Sequence, residues 1–419
     1  MTVTLITNAH IFDGLSPDLS DATSVLVEGD RIAGIGPGIV GPDGALVIDA
    51  GGRTLMPGLI DVHWHSMLNF WPISKVFNAD MGLLSIYAAH FAGDVLRRGF
   101  TTVRDIGGNC FGVKRAIDDG LVAGPRIYPS GGMLSQTSGH MDFRGANDVP
   151  AQDGAPLDYM ERVGHFLLAD GVPEVIKRTR EVLRMGATQI KAMAGGGVTT
   201  LYDPLDVAEY TLAELSAIVE VAKTWNTYVA IHVNTDAAIQ TALDAGVKSI
   251  EHGFFITDAT AKRMADEGAW WSMQPFMLDE DAPTFESDFV TAKYESCVVG
   301  LDAVVGHTKK YGVKTAFGTD SLFDPATSAK QGKLLAKLQN WYTPYEALKM
   351  ATHDNAQLLK LCGPRDPYVG DLGVIQEGAW ADLLVVDGNP LENLDLVADP
   401  TNFVIIMKDG KLYQNRLEP

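Results

Sequence analysis

The chain has 419 residues, of which 46% are hydrophobic and 21% charged, an ordinary balance for a soluble globular enzyme. This length suits one large domain with an accessory domain. The formal net charge of −20 argues against nucleic acid and anionic membranes as partners, because both would repel the protein. A small-molecule substrate stays open, since a metal site can override the overall charge locally.

The cysteines and the N-terminus predict a cytoplasmic location. Cys110, Cys297 and Cys362 are far apart and form no CxxC pair, so neither a disulfide framework nor a thiolate metal site is expected. The N-terminal residues resemble a strand more than a signal peptide. No apolar run approaches the roughly 18 to 20 residues of a membrane span.

Both ends of the chain have the pattern of short β-strands. Runs over residues 4–14, 23–36 and 45–58 each close on Gly, Asp or Pro, which is typical of a small sheet. Strand-like runs follow at 381–387 and 402–408, before a turn at Asp409–Gly410. The sequence therefore predicts one small β-sandwich domain built from residues 1–57 and 364–419.

Between the two ends, short apolar runs alternate with helical segments, which indicates an α/β fold with a parallel sheet. Two helix starts carry capping-box signals, at Thr211 with Glu214 and at Thr343 with Glu346. A Gly/Ser-rich stretch at 130–140 predicts a loop. The eight runs predict a (β/α)8 TIM barrel over residues 58–363, and they span 59–65, 101–107, 126–132, 188–194, 228–233, 249–253, 269–274 and 315–321.

Metal-ligating side chains stand at five of these eight predicted strand ends, where the active sites of such barrels lie. Each has an ordinary alternative, since a buried histidine is often a core residue and a strand-end aspartate is often a helix cap. The set as a whole predicts a site for borderline divalent cations. Its members are His63, His65, Lys191, His232, His252 and Asp320.

Lys191 is unusual because it lies within an apolar strand, where an unpaired charge carries a large desolvation cost. Burial beside cations lowers the pKa of a lysine and frees its amine. A neutral amine can take up carbon dioxide as a carbamate, an acquired carboxylate able to bridge two metals. The alternative is an ammonium group paired with a buried acid.

These motifs resemble the amidohydrolase superfamily, in particular its imidazolonepropionase-like, prolidase-like and ochratoxinase-like branch. The resemblance covers nearly the whole chain and includes LMPGLIDVHWH, GATQIKAMAGGG, GVKSIEHG, AFGTDS and ADLLVVDGNP. It implies that His63, His65 and Asp320 bind the more buried of two metals and that His232 and His252 bind the other. It further implies a bridging carbamate on Lys191 and a substrate-contacting histidine in the loop after strand 3, a place that His140 fits.

The resemblance implies a binuclear amide or peptide hydrolase in which a metal-bridging hydroxide attacks the carbonyl and Asp320 takes up the proton. We expect two zinc ions, with manganese or cobalt fitting the same ligands. The substrate would be a dipeptide, a carboxypeptidase substrate or an ochratoxin-type aryl amide. A deaminase or imidazolone-ring hydrolase is an alternative, although such enzymes usually lack the lysine. An inactive scaffold is another, against which the full ligand set speaks.

The substrate is less well defined by the sequence. The prolidase-like branch implies a tyrosine two residues after the strand-5 histidine, where this chain has Asn234. An amide can still bind a carboxylate, but the departure favours a broader or bulkier substrate. Trp71, on the loop after strand 1, is a candidate for stacking on an apolar or aryl group. Related enzymes are frequently oligomers, so we expect a homo-oligomer.

Overall fold

The computed structural model describes residues 2–145, 147–148, 156–200, 202–285 and 287–417. Its strands in chain order are β1 Val3–Ile11, β2 Thr23–Glu28, β3 Arg31–Gly36, β4 Leu46–Asp49, β5 Thr54–Pro57, β6 Leu59–Trp64, β7 Phe100–Asp105, β8 Arg126–Pro129, β9 Met133–Ser135, β10 Phe166–Leu168, β11 Ile190–Met193, β12 Val229–Val233, β13 Ser249–His252, β14 Trp270–Met273, β15 Lys314–Phe317, β16 Leu383–Val386, β17 Phe403–Lys408 and β18 Lys411–Asn415.

The helices are α1 Ile73–Val76, α2 Met81–Arg97, α3 Phe111–Asp118, α4 Tyr159–Arg162, α5 Val172–Met185, α6 Leu212–Thr224, α7 Asp236–Ala245, α8 Asp258–Glu267, α9 Asp288–Tyr311, α10 Pro325–Ser328, α11 Gln331–Ala336, α12 Pro344–Lys349 and α13 Asn355–Leu359. A single π-helical turn, Met350–Asp354, joins α12 to α13. Within the described ranges, no helix combines the length and the apolar run that crossing a membrane requires.

Strands from the two ends of the chain form one mixed sheet. Its order is β18-β17-β16-β5-β1-β2-β3, with β4 paired to β1. The central pair joins β5 to β16 in antiparallel fashion, with Leu55 opposite Val385. Apolar side chains from both ends, including Ile6, Val25 and Leu383, pack into a core of their own. We call these eight strands the terminal sheet.

The middle of the chain is an α/β fold with parallel strands. Strands β6, β7 and β8 form one parallel sheet, and the order β10-β9-β11-β12-β13-β14-β15 forms a second. The eight apolar runs in the sequence are confirmed as the strands β6, β7, β8 and β11 to β15. Their side chains are almost entirely buried, as expected for strands covered by helices.

Backbone hydrogen bonds connect the two parallel sheets at two places, one after β15 and one just before β11. The Asp320 amide donates to the carbonyl oxygen of His63, beside a parallel bridge between Trp64 and Ser321. Just before β11, the Thr188 amide donates to the carbonyl oxygen of Pro129. Gly318 permits the first approach, because a Cβ at that position would lie 2.4 Å from the Cβ of His63.

The predicted helix starts are confirmed. Thr211 and Glu214 form a reciprocal capping box at the start of α6, and Thr343 and Glu346 form another at the start of α12. The prediction of an uninterrupted loop over 130–140 is wrong, because β9 lies within it and pairs with both β10 and β11. Three residues after two glycines are too short to give a periodic signal.

Candidate active site

The six predicted ligands meet on one side of the parallel strands. His63 belongs to β6 and His65 follows its last residue, while Asp320 lies three residues beyond β15. The remaining three side chains come from consecutive strands in the second sheet, with Lys191 on β11, His232 on β12 and His252 at the end of β13. Period-two alternation places His63 and His65 on the same face, as the HxH pattern predicts.

Asp320 contacts both histidines of the HxH pair. Its Oδ1 lies 3.2 Å from Nε2 of His63 and 3.3 Å from Nε2 of His65. The two histidines are almost completely buried, and the Asp320 side chain is 18% exposed. The donors of His63, His252 and Asp320 all lie within 4.8 Å of one another.

The far side of each imidazole ring is held by a hydrogen-bond acceptor. Nδ1 of His63 lies 2.8 Å from a carboxylate oxygen of Glu251, and Nδ1 of His65 lies 3.0 Å from the carbonyl oxygen of Gly107. Nδ1 of His252 lies 2.8 Å from Oε1 of Gln274. These acceptors require a proton on Nδ1, so the neutral rings present Nε2 as a lone pair.

His232 completes the row of imidazoles. Its ring centroid lies 4.4 Å from that of His252, which is in turn 4.8 Å from that of His63. Nε2 of His232 is 3.2 Å from the carbonyl oxygen of Gly196. Burial lowers the pKa of both His232 and His252 well below the ordinary value, which keeps these rings neutral.

The Lys191 side chain is 1% exposed and borders the cavity above the histidines. Among the residues that the structure describes, none offers its amine a hydrogen bond or an ion pair within 4 Å. Burial lowers the pKa of Lys191 to about 8. A buried amine of lowered pKa has a larger neutral fraction than an ordinary lysine, which the carbamate interpretation requires.

Asp320 is held as a carboxylate. Burial raises the pKa of Asp320, but the neighbouring imidazoles of His63, His65 and His252 outweigh burial and lower that pKa well below the ordinary value. Asp320 and His252 both adopt left-handed backbone conformations, with φ of 49° and 68°. Such conformations are uncommon outside glycine and cluster at functional sites.

His140 lies beside these residues in the loop after β9. Its ring stacks on that of His232 with centroids 4.1 Å apart, and its Nδ1 lies 2.6 Å from Oδ2 of Asp203. The ring also packs against Gly197, where a Cβ would lie 2.1 Å from its Cε1. The loop of His140 is fixed by Glu209, which accepts a hydrogen bond from the His140 amide at 2.7 Å.

A cavity of about 1040 Å³, including its open mouth, lies above the six residues. One wall consists of aromatic rings that begin beside His252. The centroids of Phe254 and Phe276 are 5.8 Å apart, and Tyr294 lies 5.6 Å from both Phe276 and Phe285. We call these four residues the aromatic wall.

Of the two residues proposed to contact the substrate, Asn234 borders the cavity and Trp71 packs elsewhere. Asn234 lines the cavity, and its side-chain amide donates to the carbonyl oxygen of Gly196 at 2.9 Å. Trp71 is not one of the described residues that line the cavity. It is 7% exposed and packs against Phe70 and Tyr87, with the Lys75 amine above its ring. Packing with α2 therefore directs Trp71 away from the cavity.

Several polar residues of the site were missed by sequence reasoning. Glu251 and Arg104 form a buried ion pair below His63, and Asp203 contacts His140. The two strand residues carried a signal, because a charge inside an apolar strand demands a partner. Asp203 carried none, since acidic residues are ordinary in loops.

The donor set fits a cation. With both Nδ1 atoms donating elsewhere, Nε2 of His63 and Nε2 of His65 are acceptors, and they converge with an Asp320 oxygen. Three acceptors at one point repel each other unless a positive charge lies between them. Imidazole nitrogen and carboxylate oxygen are ligands that suit zinc and neighbouring divalent metals.

Comparisons with known proteins agree on the family. The model of the amidohydrolase family matches residues 54–413. The chain is 37% identical to an amidohydrolase of known structure, with a TM-score of 0.91 and full coverage of both chains. It is 34% identical to a prolidase solved with N-methylphosphonate-L-proline, with a TM-score of 0.91 over 99% of this chain and 100% of that one.

Two curated relatives differ in activity. The ochratoxinase of Aspergillus niger is 32% identical over 377 residues, which cover 86% of this chain and 75% of that protein. A 5-methylthioadenosine/S-adenosylhomocysteine deaminase of Thermococcus sibiricus is 24% identical over 92% of this chain and 85% of its own length. Amide hydrolysis and deamination are thus both represented among similar proteins.

Proposed function

The chain belongs to the amidohydrolase family and is a hydrolase acting on C–N bonds, and from this premise we propose that it hydrolyses the amide or peptide bond of an amino-acid conjugate. The observation that carries the proposal is the convergence of His63, His65 and Asp320 in a cavity that the buried amine of Lys191 also lines. Its small-molecule substrate would enter through the cavity above them.

We assign two divalent ions to this site, with zinc as the expected metal. His63, His65 and Asp320 would hold one ion, and His232 and His252 would hold the other. A carbamate on Lys191 would lie between them. When bound, the ions supply Lewis acidity toward the amide carbonyl and a water of lowered pKa.

Asp320 and His140 provide the proton-handling groups of the chain. Asp320 is a carboxylate at neutral pH, so it can accept a proton from the attacking water and return it to the leaving nitrogen. Nδ1 of His140 faces Asp203, which leaves its Nε2 edge free to contact the substrate carbonyl oxygen. Neither role requires a serine or cysteine nucleophile.

We propose that the two parallel sheets close into a (β/α)8 barrel over residues 58–363. The hydrogen bonds from Asp320 to His63 and from Thr188 to Pro129 support closure, because they join β6 and β8, the two edge strands of the first sheet, to the second sheet. A β-sandwich domain of residues 1–57 and 364–419 would contain the terminal sheet. The cytoplasmic location and the homo-oligomer stay predictions.

The substrate that we favour carries a large apolar or aromatic group next to the scissile amide. The aromatic wall supports this choice, since ring stacking beyond simple burial contributes about 0.5–1.5 kcal/mol. Asn234 is suited to binding a free carboxylate of the conjugate. Ochratoxinase and prolidase, both similar to this chain, act on amide bonds, which agrees with this substrate class.

Metal removal and substrate screening together test the proposal. We expect about two metal ions per chain by elemental analysis, and loss of hydrolysis after chelation with recovery on adding zinc, manganese or cobalt. The substrate panel comprises Xaa-Pro and Xaa-Phe dipeptides, N-acyl amino acids and aryl amides of phenylalanine. Asp320→Asn should remove activity. Full activity in metal-free protein would overturn the proposal.

Deamination is the second candidate, favoured by the similarity to the deaminase. The same preparations should be offered adenosine derivatives, with ammonia release as the measurement. Ammonia production in the absence of amide hydrolysis would assign the chain to deamination. We expect the reverse, because Lys191 lines the same cavity as the histidines and the resemblance implies a bridging lysine, which single-metal enzymes usually lack.

A further inference from the structure

A closed polar network lies directly below His63. Nη2 of Arg104 is 2.8 Å from each carboxylate oxygen of Glu251, and Nε of Arg104 donates to the carbonyl oxygen of Val62. The Ser249 hydroxyl donates to one Glu251 oxygen, and the other Glu251 oxygen accepts from Nδ1 of His63. Arg104 and Glu251 are both 0% exposed.

This network is expensive to bury. Transferring a carboxylate and a guanidinium group out of water costs several kcal/mol each, and well-packed apolar residues often give equal or greater stability. A purely structural role therefore explains the pair poorly. Besides contacting Val62, Tyr228 and Ser249, the pair contacts the predicted ligand His63.

The proton position on His63 depends on what faces its Nδ1. Glu251 accepts and so demands a proton on Nδ1, which leaves Nε2 as a lone pair facing Asp320. Nε2 of Gln274 is a competing donor 3.4 Å from the same Nδ1. If Gln274 prevailed, the proton would sit on Nε2 and the ring would no longer be a ligand there.

We infer that Glu251 is a positioning residue that fixes the tautomer and orientation of His63 for metal binding, and that Arg104 holds Glu251 in place for this task. The inference rests on the proposed function, in which His63 is a ligand. Glu251 acts through His63 and touches neither the substrate nor the reacting atoms. Removing such an outer hydrogen-bond partner typically weakens metal affinity by about 10- to 100-fold.

Glu251→Gln tests the inference sharply. The amide oxygen of the new side chain would face the Arg104 and Ser249 donors, which directs its NH2 group toward Nδ1 of His63. That group donates, so it favours the wrong tautomer. We expect zinc affinity, measured by competition with a chromophoric chelator, to fall about 10- to 100-fold, with less than two ions retained per chain.

Glu209→Gln is the matched control, because Glu209 is equally buried and near the site but contacts His140 instead of His63. It should retain the zinc affinity of the wild type. Glu251→Asp provides a second variant should Glu251→Gln fold poorly, since it keeps the charge opposite Arg104 while withdrawing the carboxylate from His63. It too should lose zinc affinity, while thermal unfolding of its metal-free form stays close to that of the wild type.

The outcomes separate this inference from the proposed function. A wild-type protein that binds no metal would overturn the proposed function. A wild type that binds two ions, beside Glu251 variants of unchanged zinc affinity, would overturn the inference alone. Equal losses of affinity in Glu209→Gln and Glu251→Gln would also overturn it, because the effect would then come from removing any buried acid.

Discussion

Arg104 and Arg126 lie on neighbouring parallel strands, and both are buried against carboxylates, yet they serve opposite ends of the fold. Arg104, near the end of β7, pairs with Glu251 below the candidate site. Arg126, the first residue of β8, pairs with Asp382 and Asp409 of the terminal-sheet region and stacks 3.8 Å from the Trp380 ring. A buried arginine–carboxylate pair thus supports the predicted ligand His63 in one place and joins a parallel strand to the terminal-sheet region in the other.

The surroundings of the two arginines explain the difference. Around Arg126, Lys408 also pairs with Asp409, so two cations face two carboxylates and the group at the junction is complete as it stands. Around Arg104, the network leads through His63 to Asp320 and to the cavity that Lys191 lines, a set that bound cations would complete. A buried charge therefore indicates function when the chain of contacts from it ends at unsatisfied groups.

The largest expected effect is on activity and comes from a substitution among the candidate metal ligands. Lys191→Ala should lower kcat/KM by about 10³-fold or more, because several kcal/mol of metal-dependent stabilisation depend on the bridging ligand. Thermal unfolding of the metal-free form should change little, since no described residue forms a hydrogen bond or ion pair with the amine. Steady-state hydrolysis assays and thermal unfolding of the metal-free form measure the two effects.

A short carboxylic acid should restore part of this loss. Propionate can occupy the space vacated by the lysine and supply the missing carboxylate, whereas propylamine cannot. Rescue by the amine but not by the acid would contradict the carbamate and favour a catalytic ammonium group instead.

Breaking the ion pairs of Arg126 should lower the stability of the fold and leave activity unchanged. Arg126→Met leaves Asp382 buried without its partner, and we expect a loss of about 3–5 kcal/mol in the free energy of unfolding. The activity per folded molecule and the metal content should stay unchanged. Urea unfolding followed by fluorescence, with parallel activity assays, provides the measurement.

Arg31→Met serves as the control for this variant, because Arg31 also stacks on Trp380, at 3.6 Å, but is more exposed. Its loss should be at most about 1 kcal/mol. If Arg126→Met abolished metal binding in the folded protein, the assignment of Arg126 to stability and of Arg104 to the candidate site would be wrong.

The smallest effect concerns Glu209 and depends on pH. Burial raises the pKa of Glu209 from 4.5 to about 8, so the folded protein retains a proton that the unfolded chain releases. The associated stability is fully present below pH 4.5 and is lost as the pH rises toward 8. The stability of Glu209→Gln relative to the wild type should therefore increase from pH 5 to pH 8.5. Thermal unfolding of the variant and the wild type at the two pH values measures the stability difference. The same difference at both pH values would contradict the raised pKa of Glu209 as its cause.

Much of the fold and of the ligand set could be predicted from the sequence because both rest on local rules. Apolar runs between helical segments identify parallel strands, and the alternation of side chains places His63 and His65 on one face. The partners of these residues depend on contacts distant in sequence. Arg104 and Glu251 are 147 positions apart, and nothing local pairs them.

Trp71 and β9 show the other limit. The sequence places Trp71 after strand 1 but does not determine which neighbour its ring will pack against. In the structure the ring packs against Tyr87 on α2. Strand β9 has three residues and forms because β10 and β11 lie on either side of it. Tertiary pairing can stabilise a strand that is too short to be recognised on its own.

The composition of the terminal sheet has a consequence for the order in which the protein can fold during synthesis. Arg53 binds Asp387, which lies 334 positions later in the chain, and β5 obtains its antiparallel neighbour from that same late segment. At about 5–20 residues per second, the ribosome needs roughly 20 s to a minute to reach it. Throughout that time one edge of β5 has no partner, and every strand that carries a candidate ligand is made within the same interval. The first strands synthesised are thus among the last to be completed, and this interval is when the nascent chain most needs protection from aggregation.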